Sequence, residues 1–209
     1  NNLAASIQEV DAKCMLHPSI SANFEKGKLL MTAQVGLEVV SSYECDVSPN
    51  HAGQMITKVN GKQFLSNNKL HHEIFGPYSM IVECESIVEL TEIISNLEGQ
   101  LTGTLMATEK ELSENKEIIY AMTDRVGRVI FNGVPTGVEV CPAMLHGGPY
   151  PASTDARFTA VGSDSIKRWV RPVSYQEWPN ELLPQELKND NPLGISRKID
   201  NVDSFISIA

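Results

Sequence analysis

The sequence reads as an α/β fold, and two observations carry that reading. Runs of strand-like alternation in the middle third of the chain are separated by helical periodicity. Each of the two helical stretches also opens on a capping pattern. "SMIVEC" (79–84) alternates Met80, Val82 and Cys84. Ser86 and Glu89 then form a capping-box pair, followed by Leu90, Ile93, Ile94 and Leu97 on one helical face, and Gly99 is the expected stop. "LTGTLMA" (101–107) is a second strand. Thr108 and Glu111 make a second capping box, opening one helix over "EKELSENKEIIYAMTD" with Leu112, Ile119 and Met122 inward. "GRVIFNG" (127–133) is a third strand ending in a turn. The order β-α-β-α-β with crossover-length helices predicts a parallel sheet flanked by helices. In such sheets ligands sit beyond the carboxyl ends of the strands, which directs attention to 105–109 and 131–158.

Before this core, Leu3, Ile7 and Val10 recur at helical spacing, so the chain opens near or inside a helix. With no initiating Met and no signal-peptide pattern, it reads as part of a longer protein. "SISANFEKGKLLMTAQ" (19–34) is an amphipathic helix with Ile20, Phe24 and Met31 on one side, and 36–44 is a strand. "GQMITKVNGKQFLSN" (53–67) reads as two extended runs around the turn dipeptide Asn60-Gly61. After the core, 132–158 is a long loop rich in Gly and Pro, and loops of that length in compact domains tend to be functional. "SIKRWVRPVSYQEW" (165–178) alternates like a strand interrupted by Pro172, hence an edge strand. The polar tail from Pro179 reads as an arm on the surface or on a partner subunit. The implied division is 1–164 for the main domain and 165–209 for an edge strand and arm.

With 209 residues, 42% hydrophobic and 21% charged, the composition is that of a globular chain able to bury a core. A net charge of −9 argues against a nucleic-acid partner. No apolar run reaches the length of a membrane helix. The four cysteines, Cys14, Cys45, Cys84 and Cys141, match no zinc spacing and fit reduced thiols of a cytoplasmic protein. Cys84 reads as a small core residue. The adjacent His71-His72 is a poor metal pair, so no metal is expected. His146 before Gly147-Gly148 admits two readings, a plain turn or a place where a ligand comes close to the backbone. Asp155 and Arg157 are placed to pair with each other or to hold the loop.

"EIFGP" at 73–77, followed by strand, capped helix, strand, helix and "GRVIFNG", resembles the C-terminal half of the aldehyde dehydrogenase superfamily. The ordered set runs from about residue 53 to 178. "NGVPTGVEV", "MLHGGPYPASTDARFTAVG" and "RWVRPVSYQ" are similar to the 2-oxoglutarate semialdehyde (2,5-dioxopentanoate) dehydrogenases, and long-chain fatty aldehyde dehydrogenases share the style. The resemblance implies NAD or NADP as cofactor of the complete enzyme, oxidation of an aldehyde to a carboxylate, and a homo-oligomer built through the strand near 168–176. Glu73 matches the carboxylate that accepts the nicotinamide ribose hydroxyls, and Phe75 the ring near the nicotinamide. Gly76-Pro77 matches the turn that presents both. Asn132 matches the strand-end residue holding the active-site loop, and 133–148, with Gly133, His146, Gly147 and Gly148, the wall of the aldehyde pocket.

The chain departs from the family where the chemistry is done. The nucleophilic Cys in its Gly-Gln-x-Cys setting, the general-base Glu and the Rossmann domain lie upstream in the family. None of the four cysteines has that setting, and the nearest upstream, Cys45 in "SSYECDVSPN", does not match it. The expectation is a catalytic-domain portion with no catalytic residue of its own, no bound cofactor and no dehydrogenase activity in isolation. Two other readings remain: a non-catalytic subunit-association module, and an unrelated α/β domain with a coincidental EIFGP turn.

Overall fold

The computed structural model describes residues 2–43, 48–135, 137–138 and 141–208. It divides into two compact units, Asn1–Arg168 and Trp169–Ala209. In the first unit α1 (Asn2–Gln8) leads to β1 (Lys13–Cys14) and α2 (Pro18–Thr32). Pro18 occupies the first turn of α2, where its missing N–H costs nothing, and His17 Nδ1 caps Ser19 N. Phe24 and Met31 are buried on its inner face, as the periodicity predicts. β2 (Glu38–Ser42), β3 (His51–Ala52) and β4 (Met55–Asn60) follow, with β3 pairing antiparallel with β1 and β2 antiparallel with β4. Cys45 and the end of the 36–44 strand lie outside the described residues.

Asn60-Gly61 is not a hairpin turn. Asn60 is the N-cap of α3 (Gly61–Ser66), its Oδ1 accepting from Gln63 N at 2.8 Å. Asn serves caps and turns alike, and here Phe64, buried in the core on the far side of the dipeptide, favours the helix. A 3-10 turn, Asn68–His71, then leads to β5 (Tyr78–Glu83), which lies parallel to β4.

α4 (Ile87–Asn96) starts at Ser86, whose Oγ accepts from Glu89 N at 3.2 Å. Its capping box is only half made, because the Glu89 carboxylate reaches back one residue further, to Glu85 N at 2.6 Å. α4 ends at Leu97, and Gly99 serves another purpose described below. β6 (Gln100–Leu105) follows. At α5 (Glu109–Glu114) the Thr108–Glu111 capping box is complete. The expected single helix breaks at Asn115, giving α5 and α6 (Lys116–Arg125). Ile118 and Ala121 are buried in the core and Met122 packs against them as the spacing predicts, while Ile119 is only partly buried. β7 (Val126–Phe131) pairs parallel with β6.

The strands do not form one sheet. β2-β4-β5 is a three-stranded sheet and β6-β7 a separate pair. Among the described residues nothing pairs with the second edge of β5 or of β6. α4 connects them and packs against both. Its Ile93 packs with Met31, Val59, Phe64 and Leu70 under the first sheet. The next residue, Ile94, packs with Ile118 and Ala121 under the second.

At the end of the first unit Ser163–Arg168 is a 3-10 turn where a strand was expected. In the second unit 169–176 forms no strand among the described residues, where an edge strand was expected. Its tail is ordered around Asn191, a buried amide that donates to Ile195 O and Phe205 O and accepts from Ile195 N. A hairpin of β8 (Arg197–Ile199) and β9 (Val202–Ser204) closes it, with Asp200 and Asn201 both at positive φ as a two-residue turn requires.

Candidate functional site

The 73–77 turn rests on α2. Gly27, in the middle of that helix, leaves room for Ile74, whose Cγ2 would stand 3.1 Å from a β-carbon there. Gly76, at φ +154°, sits flat on the ring of Phe24, which is 1% exposed and which any side chain at 76 would strike. With Ile74 and Gly76 directed inward, Glu73 and Phe75 face outward. Phe75 is 66% exposed. The turn is pinned at both ends. Upstream, His71 stacks on Phe64 with ring centroids 4.2 Å apart, and its Nε2 lies 2.9 Å from Phe64 O. Downstream, Met55 N donates to Pro77 O at 2.9 Å. Tyr78 Oη meets Thr57 Oγ1 at 2.6 Å, and burial pushes the Tyr78 phenol up, partly offset by that bond. Among the described residues no partner holds Glu73. The result is a rigid turn presenting an acceptor-only carboxylate and an uncovered aromatic ring, a set that fits a hydroxylated, planar ligand. Phe24 and Gly27 escaped the sequence reading as site-shaping residues, although a glycine inside a helical pattern is itself a sign of close packing.

The glycine run lies at the same end of the unit. A cavity of about 400 Å³ is bounded by His71 and His72, just before Glu73, and by Asn96 and Glu98 at the end of α4. The next residue, Gly99, donates to Tyr150 O at 3.2 Å and leaves no space for a β-carbon beneath Pro149 O. Gly127 faces Gly147 O in the same way, and a β-carbon on Gly148 would stand 2.5 Å from Gln100 O. Gly147 and Gly148 therefore cross the amino ends of β6 and β7, and the close approach that needs them is backbone to backbone. His146 O accepts from Ala160 N at 2.8 Å, and its N–H donates to Thr159 Oγ1 at 2.9 Å. Glu73 and Phe75 likewise precede the amino end of β5. The carboxyl-end rule thus looked toward the opposite end of the strands for these residues.

Asn132 and Gly133 do lie at a carboxyl end, that of β7. Asn132 takes φ +48°, and its side-chain amide accepts from Ala107 N at 2.9 Å and donates to Ala107 O at 2.8 Å. Its own N–H donates to Leu105 O at 3.0 Å. One residue thus continues the β6–β7 ladder with its side chain and turns the chain into the 133–148 loop. Thr136, Glu139 and Val140 of that loop lie outside the described residues.

Cys14, Cys84 and Cys141 are free thiols. Desolvation, and secondarily the Glu89 carboxylate, push the Cys84 thiol up, away from the thiolate a nucleophile needs. Among the described residues no cluster of three His, Cys, Asp or Glu is placed for a metal, and no helix is long and apolar enough to cross a membrane. Asp155 and Arg157 form the expected pair at 2.6 Å, which holds the Asp155 carboxyl down at about 2.

No family model matches the chain. Curated proteins do. It is 36% identical to the α-ketoglutaric semialdehyde dehydrogenase 2 of Azospirillum brasilense over 94% of its length, which is 38% of that protein. It is 39% identical to the α-ketoglutaric semialdehyde dehydrogenase of Acinetobacter baylyi over 90% of its length, which is 36% of that protein. The chain thus spans little more than a third of the length of these relatives. Among solved structures, the Δ-pyrroline-5-carboxylate dehydrogenase of Mycobacterium tuberculosis matches 88% of the chain and 36% of its own, with a TM-score of 0.66 at 14% identity. The succinic semialdehyde dehydrogenase of Streptococcus pyogenes, solved with NADP+, matches 67% and 29% with a TM-score of 0.52 at 22% identity. With that α/β fold and those relatives, the chain belongs to the aldehyde dehydrogenase superfamily.

Proposed function

We propose that the chain supplies the cofactor clamp and the loop wall of an NAD(P)-dependent dehydrogenase that oxidises 2-oxoglutarate semialdehyde to 2-oxoglutarate. The observation that carries this reading is the outward pair Glu73 and Phe75, without a partner among the described residues, on a turn locked to α2 and β4. In this reading Glu73 accepts from two ribose hydroxyls and Phe75 flanks the nicotinamide, so both position the cofactor and neither exchanges a proton. The nicotinamide, when bound, supplies the hydride acceptor. His146, Gly147 and Gly148 border the aldehyde site from the amino ends of β6 and β7, and Asn132 and Gly133 anchor the other end of the same loop. The names of both curated relatives support the substrate.

The open edges of β5 and β6 add a structural reason for a division of labour. Among the described residues each has one edge without a partner, and α4 links the two, so in this reading one further parallel strand between them would pair with both. Its amino end would emerge beside the 400 Å³ cavity, between the clamp and the glycine run. We assign that place to the segment bearing the nucleophilic cysteine, which none of the described cysteines replaces. Residues 169–176, which pair with no strand among the described residues, are proposed to pair with a second copy.

The test is a chimera in which the segment of the A. brasilense relative that precedes the matched region is joined ahead of residue 1. The chimera should reduce NAD+ or NADP+ with 2-oxoglutarate semialdehyde, and the 209-residue chain alone should not. In the chimera Glu73→Gln should lower kcat about tenfold or more with little change in KM for the aldehyde. Turnover by the chain alone, or an unchanged kcat in E73Q, would sink the assignment.

A further inference from the structure

We propose that His71 is a positioning residue of the clamp: its imidazole, protonated at Nε2, fixes where the Glu73 carboxylate stands. This rests on the cofactor-clamp reading above and adds what holds that carboxylate in place.

Residues 72–77 join the 3-10 turn Asn68–His71 to β5 with no helix or strand of their own. Glu73 and Phe75 point outward, so neither anchors the run. Beyond Glu73 the fixed points follow closely: Ile74 against Gly27, Gly76 on Phe24, and Pro77 O bonded to Met55 N. Before Glu73, His72 is exposed, and the side chain placed to hold the run is that of His71. The two adjacent histidines thus have different surroundings, one half-buried and one in solvent. Phe64 is 6% exposed and belongs to the core that also holds Leu70. His71 lies over its ring nearly flat, with 17° between the planes. The same imidazole reaches the Phe64 carbonyl oxygen through Nε2 at 2.9 Å. A carbonyl oxygen only accepts, so Nε2 carries the proton. The stack sets the plane of the ring, and the hydrogen bond stops it from sliding or turning within that plane. A stack alone, worth about 0.5–1.5 kcal/mol, leaves that freedom. With His71 and Ile74 both held, Glu73 stands in a span too short to drift. Such precision matters for a group that places a cofactor, since a displacement of about 1 Å can cost up to about 100-fold in rate.

The test has two arms. In the ¹⁵N-labelled 209-residue chain, the imidazole nitrogen shifts of His71 report its tautomer, and hydrogen exchange at the Glu73 amide reports how firmly the run is held. The expected result is a ring protonated at Nε2, and faster exchange at Glu73 in His71→Phe, which keeps the stack and loses the bond. Phe64 O still accepts from Asn67 N at 3.3 Å, so H71F orphans no carbonyl and should fold. Should it not fold, the tautomer of the unaltered ring decides. In the chimera, H71F should lower kcat roughly tenfold with little change in KM for the aldehyde. A double-mutant cycle with Glu73→Gln asks whether His71 acts through Glu73: both changes together should cost no more than E73Q alone. An imidazole protonated only at Nδ1, unchanged exchange at Glu73, an unchanged kcat in H71F, or fully additive losses in the cycle would overturn the proposal. Failure of the clamp reading looks different: E73Q then leaves kcat unchanged, while the tautomer and the exchange at Glu73 still decide for or against His71.

Discussion

Gly127→Ala tests how the glycine run is held. A β-carbon at 127 would lie under 3.0 Å from the carbonyl oxygen and carbon of Gly147, both of them backbone atoms that no rotamer change can move aside. Gly147 and Gly148 must therefore lift from the amino ends of β6 and β7. Overpacking of this kind costs about 1–3 kcal/mol. Strain on the adjoining Gly99 N to Tyr150 O bond adds up to about 1 kcal/mol. The lower backbone entropy of the unfolded Ala chain returns about 0.4–1 kcal/mol. The expected net loss is about 2 kcal/mol, or roughly 4–8 °C in Tm for a chain of this size. Urea denaturation followed by circular dichroism measures it. Gly137→Ala, with nothing within 4 Å of the added carbon, is the control and should change stability by less than about 0.5 kcal/mol. If G127A proves as stable as G137A, the backbone stacking of 147–148 on β7 is wrong, and those glycines are open to a ligand after all.

Two further perturbations read single residues. Asn132→Ala removes both bonds to Ala107 and leaves an ordinary residue at φ +48°, for an expected loss of about 2–3 kcal/mol; Asn132→Gly loses the bonds but tolerates the backbone, and should cost about 1 kcal/mol less by the same denaturation assay. The Asp155 carboxyl, held at about 2 by the hydrogen bonds and charge of Arg157, keeps its pair with Arg157 above the ordinary carboxylate range and loses it as pH falls toward about 2. In Arg157→Gln the Asp155 carbonyl-carbon titration followed by NMR should move back up to the ordinary range, and a midpoint still near 2 would count against the pair.

The sequence was most legible where structure is local. Thr108 and Glu111 carry both halves of a capping box within one turn, and the box is there. The β4, β5, β6 and β7 runs and the α2 and α4 faces also follow from periodicity. What failed was choice between devices that share a residue type. Asn60-Gly61 served as cap instead of hairpin turn, and Gly99 served a neighbouring carbonyl instead of a helix end. Asn115 broke a helix whose apolar spacing ran on without a sign of it. Strand pairing was less legible still. The order β-α-β-α-β leaves open whether neighbours in sequence touch in the sheet, and β5 and β6 do not. For the candidate site, Glu73 and Phe75 could be picked out from a short motif. The end of the sheet on which they stand could not, because the turn precedes its strand. The α2 shelf under them depends on contacts some fifty residues apart, which no local pattern encodes.

Ile93 and Ile94 belong to different cores although one peptide bond joins them. Successive side chains on a helix point about 100° apart, so α4 acts as a gear between two packed bodies. Rolling it to accommodate a larger side chain beside Phe64 withdraws Ile94 from Ile118. The half-sheets share no ladder, yet neither can be repacked alone. Substitutions in the two cores should therefore show non-additive effects.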